Sequence, residues 1–168
     1  MKYKLINVVI LVALSFQTGC LYAARYDGPY LGKVIDEQTR EPIEGAAVLG
    51  TWSVLHADLA GGHHTYYDAR ETVTDKNGEF SIPGHGLRIM SSLEPMSVMI
   101  FKVGYQQIRS LAWDSIKIAY GEQIQWVGNK PIFPLRKLTL EERKKQYSDK
   151  ENISDKKQRL LIKELNKE

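Results

Sequence analysis

Cysteine occurs once, as Cys20, in a chain of 168 residues. No intrachain disulfide can form, so the fold must rest on an apolar core. The apolar run Leu5 to Phe16 covers twelve positions and is interrupted by Asn7 and Ser15. That is shorter than the ~20 residues a bilayer-spanning helix needs. A Gly-x-Ser-x-Gly elbow, a Walker loop and a dinucleotide-binding glycine pattern are all missing, which removes the sequence evidence for three large enzyme classes. No histidine is followed three positions on by glutamate: Leu59, Tyr66, Tyr67 and Arg88 stand there instead. Zinc carboxypeptidase chemistry therefore has no support. Aligning Gly78 with the sixth position of an EF-hand puts Val73 first and Gly84 twelfth. Both should be acidic, so that calcium loop is excluded as well.

Hydrophobic residues make up 43% of the chain, enough for a packed domain. The net charge of +3 is unevenly placed. Residues 25–135 hold 10 basic and 13 acidic side chains, and residues 136–168 hold 11 and 7. The globular part is thus mildly acidic and offers no nucleic-acid-binding face. Lys2 and Lys4 ahead of the apolar run make a secretory signal. Thr18-Gly19-Cys20 follows at once, and Gln17 to Cys20 resembles the bacterial lipobox. That resemblance implies a lipidated Cys20 as first mature residue, and Leu21 behind it implies sorting to the outer membrane, facing the periplasm. The alternative is cleavage near Tyr22-Ala23-Ala24, which discards Cys20.

Glu71 to Pro83 organises the body. Thr72, Val73 and Thr74 are β-branched, and Phe80 and Ile82 alternate with polar neighbours. Asp75-Lys76-Asn77-Gly78 between them predicts a hairpin turn, with the Asp75 side chain bonding an N–H two residues on. Further strands are expected at Tyr30 to Asp36, Ala46 to Leu55, Met96 to Val103, Gln107 to Trp113, Ile116 to Tyr120, Gln123 to Val127 and Ile132 to Leu138. Leu87 to Met90 is a candidate edge. Met96 to Val103 is apolar on both faces and reads as a buried central strand. Arg25 to Pro29 reads as the end of a linker over 21–29, and His56 to Arg70 as a long polar loop. Gly32 is a candidate close-packing point. The expected architecture is all-β: an antiparallel sandwich of roughly seven to nine strands over residues 30–138. A charged helical tail, 139–168, follows; Thr139 to Glu142 spells a capping box, and a second helix can start at Ile153.

Gly32 to Asp36, Thr39, Pro42 to Ala46 and Val48, followed by Glu71 to Asp75, Gly78, Phe80 and Lys102 to Tyr105, form an ordered pattern. It resembles the carboxypeptidase regulatory-like domain, a transthyretin-like β-sandwich, with Val103 where that family has proline. The resemblance implies a binding or structural module and no peptidase activity.

Three functions stay open. The first is a non-catalytic envelope lipoprotein, without cofactor, held to the membrane through Cys20. The second is a carbohydrate- or peptide-binding module, meeting a sugar or an envelope protein through His63, His64, Tyr66 and Tyr67 in the 56–70 loop. The third is a metal-dependent enzyme built on the same histidines, although neighbouring His63 and His64 in an extended segment point to opposite faces. Trp52, Trp113 and Trp126 are read as core residues ahead of a stacking platform. The tail's mixed charges read as a solvated helix face.

Overall fold

A computed structural model of the chain describes residues 24–56, 61–121 and 124–143. The expected signal segment with Cys20, and the second helix at Ile153, lie outside the described residues. Ten strands are described: β1 Ala24–Asp27, β2 Tyr30–Asp36, β3 Ala47–His56, β4 His63–Val73, β5 Glu79–Ile82, β6 Gly86–Ile89, β7 Ser97–Phe101, β8 Ile108–Ala112, β9 Gln125–Val127 and β10 Lys130–Leu135. One short helix, α1, runs Ile116–Tyr120. The strands form two four-stranded sheets, ordered β5-β2-β10-β9 and β4-β3-β7-β8, and a two-stranded ribbon, β1-β6.

The two larger sheets make the all-β sandwich. Val34, Phe80, Ile82, Phe133 and Leu135 from one sheet share a buried cluster with Val48, Trp52, Val98 and Ile100 from the other. All pairings are antiparallel except β2 with β10, which run parallel. Pro131 and Pro134 in β10 fall where only one neighbour is paired, β9 at the first and β2 at the second. A missing N–H is tolerated at such one-sided positions. Strand β7 lies between β3 and β8. Val98 and Ile100 enter the main core, while Phe101 and Met99 join a smaller cluster with Ala47, Leu49 and Ala69. That two-faced burial is what apolar residues on both faces of the segment implied.

The turn after β4 follows its sequence chemistry. Asn77 and Glu79 N–H groups donate to Asp75 Oδ1 at 2.9 and 2.8 Å, and Gly78 N donates to Asp75 O at 2.9 Å. The flanking strands do not pair, however. β4 belongs to one sheet and β5 to the other, so the segment is a crossing between layers and not a hairpin. Phe80 needs the sandwich interior, and β2 supplies its ladder partner at Gly32. Gly32 is the close-packing point: a Cβ there would sit 2.4 Å from the Phe80 ring. Gly78 has φ +72°, and a Cβ would meet the Val34 carbonyl oxygen at 2.3 Å. The Gly78→Ala variant is expected to lose about 2 kcal/mol or more of stability in urea unfolding, from left-handed strain plus a backbone collision.

Three further segments differ from their sequence reading. Residues 63–70 are strand, not loop: β3 and β4 form a long hairpin closed by the pair His56–His63. An edge strand that is polar on most positions carries no apolar alternation to betray it. Ile116 to Tyr120 is helical. Ile116 is buried while Ile118 is 87% exposed, which a strand with period two cannot achieve. Ala24–Asp27, within the expected 21–29 linker, is β1 and pairs with β6 through Tyr26–Leu87 and Ala24–Ile89. Its hydrogen-bonding partner lies some sixty residues away, beyond local pattern. The capping box forms as spelled. Thr139 N donates to Glu142 Oε2 at 2.9 Å, and Glu142 N to Thr139 Oγ1 at 3.3 Å, as residues 140–143 enter a helical turn. The Arg136 guanidinium and Thr139 bring the Glu142 carboxyl down to about 2.

Candidate functional site

The four residues singled out from the sequence occupy one strand and do not converge. Register places His63 opposite His56 and His64 opposite Leu55. The His56 and His63 rings stack at 5.1 Å, and His56 Nε2 lies 2.8 Å from Thr65 Oγ1. His64 Nδ1 instead meets Glu94 Oε2 at 2.8 Å. A bulge inserts Tyr67 between the pairs Trp52–Asp68 and Ser53–Tyr66. Tyr66 and Tyr67 are both exposed. The Tyr67 hydroxyl accepts a bond from Arg88 at 3.3 Å, and its ring stands edge-on to His85 at 5.3 Å.

Tyr67 leads to a cluster that sequence spacing does not reveal. Asp27, at the end of β1, is buried. Its carboxylate accepts from the Tyr30 hydroxyl, from Trp52 Nε1 at 3.1 Å and from the His85 backbone N–H at 2.8 Å. Burial and the adjacent Asp27 push the Tyr30 phenol far above its usual range, so it stays a donor. Arg70 donates to the Pro83 and Gly84 carbonyls at 2.5 and 2.7 Å and lies 5.4 Å over the Trp52 ring. Its Nη2 is 3.2 Å from His85 Nδ1. A guanidinium only donates, so Nδ1 accepts and the His85 proton sits on Nε2. Nε2 is 3.6 Å from Asp68 Oδ2, too long for a hydrogen bond. Burial first, then the Arg70 and Arg88 charges, lower the His85 pKa and keep the ring neutral. Trp52 gave one sequence signal for this cluster: a buried indole N–H seeks an acceptor. Nothing local said that the acceptor is Asp27, 25 positions away.

Apart from His85 Nε2 and Arg88 Nε, which are buried without a hydrogen-bond partner, these groups satisfy one another. Glu94 accepts Ser53 Oγ at 2.6 Å as well as His64, and those bonds, Ser53 first, hold its carboxyl below the usual range. The serine therefore points at a carboxylate, whereas nucleophilic catalysis needs it against a basic imidazole. Among the described residues no three His, Cys, Asp or Glu side chains group to hold a metal. Two concave surfaces lie elsewhere. One depression of about 430 Å³ is bordered by Arg25, Tyr30, Pro95, Trp113 and Asn129. A second, of about 240 Å³, is bordered by Gln106, Ile124 and Arg136. Neither contains a histidine. Trp52 is fully buried, and Trp113 and Trp126 pack half-buried against the same core, as their packing reading implied. No family model, curated protein or solved structure matches this chain, so its function is argued from the residues themselves.

Proposed function

We propose that this chain is a non-catalytic bacterial cell-envelope lipoprotein, anchored through Cys20, with a structural or binding role for a β-sandwich of the carboxypeptidase regulatory-like kind. One observation carries the proposal. The sole cysteine stands just behind Lys2, Lys4 and the apolar run, and the first described strand starts at Ala24. The bonds of Asp27 to Trp52 and to the His85 backbone, of Arg70 to His85 Nδ1 and of Ser53 to Glu94 support a non-catalytic role for those atoms, which are taken up in holding the fold. Sorting to the outer membrane, facing the periplasm, follows from Leu21 behind the cysteine. Growth with a palmitate analogue tests the anchor. Wild type is expected to incorporate label and Cys20→Ala none; an unlabelled wild type, or equal label on both, overturns the assignment.

A second reading is a carbohydrate- or peptide-binding surface on β4. Exposed Tyr66 and Tyr67 favour it, with the Arg88 guanidinium 5.7 Å over the Tyr67 ring. A flat ring matches the apolar face of a pyranose. Under this reading the double variant Tyr66→Ala, Tyr67→Ala loses about tenfold in polysaccharide retention, since two stacked rings supply about 1–3 kcal/mol. Unchanged retention removes the reading.

A further inference from the structure

The ribbon β1-β6 is amphipathic in the inverse sense. Cross-strand partners share a face, so Tyr26 and Leu87 lie together, as do Ala24 and Ile89. The face carrying Arg25, Asp27 and Arg88 is the one joined to the body. Arg25 Nη2 donates to the Leu93 carbonyl at 2.6 Å, Asp27 is buried under Trp52, and Arg88 lies over Tyr67. The other face turns outward with Tyr26 70%, Leu87 62% and Ile89 65% exposed, and Met90, next along the chain, is 85% exposed. A strand pair facing water puts its charges outward and its apolar side chains inward. Here the charged residues are turned in and a contiguous apolar patch is turned out, the mark of a contact surface.

The chain itself indicates what covers that patch. Ala24, paired with Ile89, is the first described residue, and Cys20 precedes it by four positions. Four extended residues span at most ~14 Å. Any bilayer that holds an acylated Cys20 is therefore within reach of the ribbon. Four side chains are too few for the ~800 Å² per partner of a stable protein interface. They suffice for a surface that a covalent anchor already holds at high effective concentration. Tyr26 beside aliphatic side chains also matches the mixed character of the lipid–water boundary. We infer that the outward face of the ribbon, Tyr26, Leu87 and Ile89, with the exposed Met90 that follows it, lies in the interface of the membrane that carries the Cys20 anchor. This rests on the lipoprotein reading. Acyl chains and ribbon then attach the domain at two points and fix the sandwich's orientation against the bilayer.

Depth labelling tests it on the full chain. Leu87→Cys, Ile89→Cys and, as an exposed control on β9, Val127→Cys are purified from bacterial membranes. They are reconstituted in phosphatidylethanolamine–phosphatidylglycerol vesicles and reacted with an environment-sensitive thiol fluorophore. All three positions are exposed, so folding is kept. Acylated Cys20 leaves wild type unlabelled. Quenching by nitroxide phospholipids is expected to be at least twofold stronger at 87 and 89 than at 127, with blue-shifted emission. Equal quenching at the three positions, in protein that carries the palmitate label at Cys20, overturns the ribbon proposal and leaves the anchor standing. Thiol label on wild type, or wild type without palmitate label, removes the anchor and the proposal with it. Disulfide-linked Ile89→Cys dimers without quenching assign the face to a second copy of the chain and overturn the membrane assignment.

Discussion

Replacing Trp52 with alanine is expected to lower the unfolding free energy by about 4–5 kcal/mol, the upper part of the range for large aromatic truncations in a core. The indole is fully buried and packs with Tyr30 at 6.1 Å and His85 at 4.8 Å between ring centroids. Its Nε1 is one of three donors on the buried Asp27 carboxylate. Alanine removes both the ring volume and that donor. Phenylalanine keeps most of the volume and removes the donor, so Trp52→Phe is expected to cost about 1–3 kcal/mol. Urea unfolding followed by circular dichroism measures both. Equal losses in the two variants would mean that the bond to Asp27, and not packing, governs the site.

Asp36→Ala is expected to cost about 2–3 kcal/mol at neutral pH, with a cost that shrinks in acid. Asp36 is buried, and its Oδ1 accepts the Gln38 and Thr39 N–H groups at 2.9 and 3.0 Å. Oδ2 takes the Tyr105 hydroxyl and Lys137 Nζ, each at 3.1 Å. The four donors on one carboxylate hold the turn after β2 and tie it to the β7–β8 turn and to the chain leaving β10. Truncation strands the half-buried Tyr105 hydroxyl and leaves the Gln38 and Thr39 N–H groups, in an exposed turn, to water, which sets the magnitude. Lys137 is half exposed and adds little. The Thr39 N–H first, then Lys137 and the other donors, hold the carboxyl far below its usual range against the opposing effect of burial. A depressed pKa means that the unfolded chain binds the proton more tightly. The stabilisation is therefore full above about pH 4, the unfolded value, and is lost as pH falls toward the folded one. Wild type and variant should converge in urea midpoint from about pH 4 downward. A gap that stays constant to pH 2 would show that the carboxylate's charge contributes nothing. His85 adds an earlier step of the same sign. Its folded pKa is lowered, so protonation opposes folding, and wild type should begin to lose stability below about pH 6.5.

Much of the fold was readable in short windows. The bounds of β2 follow from YLGKVID, the Asp75 turn from Asp-Lys-Asn-Gly, and the helix entry from Thr139 and Glu142. Each depends on contacts within a few residues, where side-chain chemistry and backbone preference act directly. The failures share a cause. A tight turn after Val73 fixes that the chain reverses and leaves open which sheet receives Phe80. Five residues such as Ile116 to Tyr120 show the same alternation for a strand end and for a single helical turn. The polar edge strand β4 carries no apolar rhythm, so His63 to Arg70 read as loop.

The site divides in the same way. That Tyr66 and Tyr67 are accessible, and that His63 and His64 diverge, followed from polarity and from the two-residue period of an extended chain. That Asp27 gathers Tyr30, Trp52 and the His85 backbone did not, because these partners lie 3, 25 and 58 positions apart. By itself, then, the sequence determined an all-β chain, its local turns and caps, the identity of its core side chains and the lone cysteine behind an apolar run. Only the tertiary structure decided how the strands divide between two sheets, where the buried Asp27 and Asp36 find their donors, and that the ribbon β1-β6 turns its apolar side outward. The reason is physical: propensity and turn chemistry act over a few bonds, whereas sheet partners and buried charges are chosen by which distant surfaces can exclude water together.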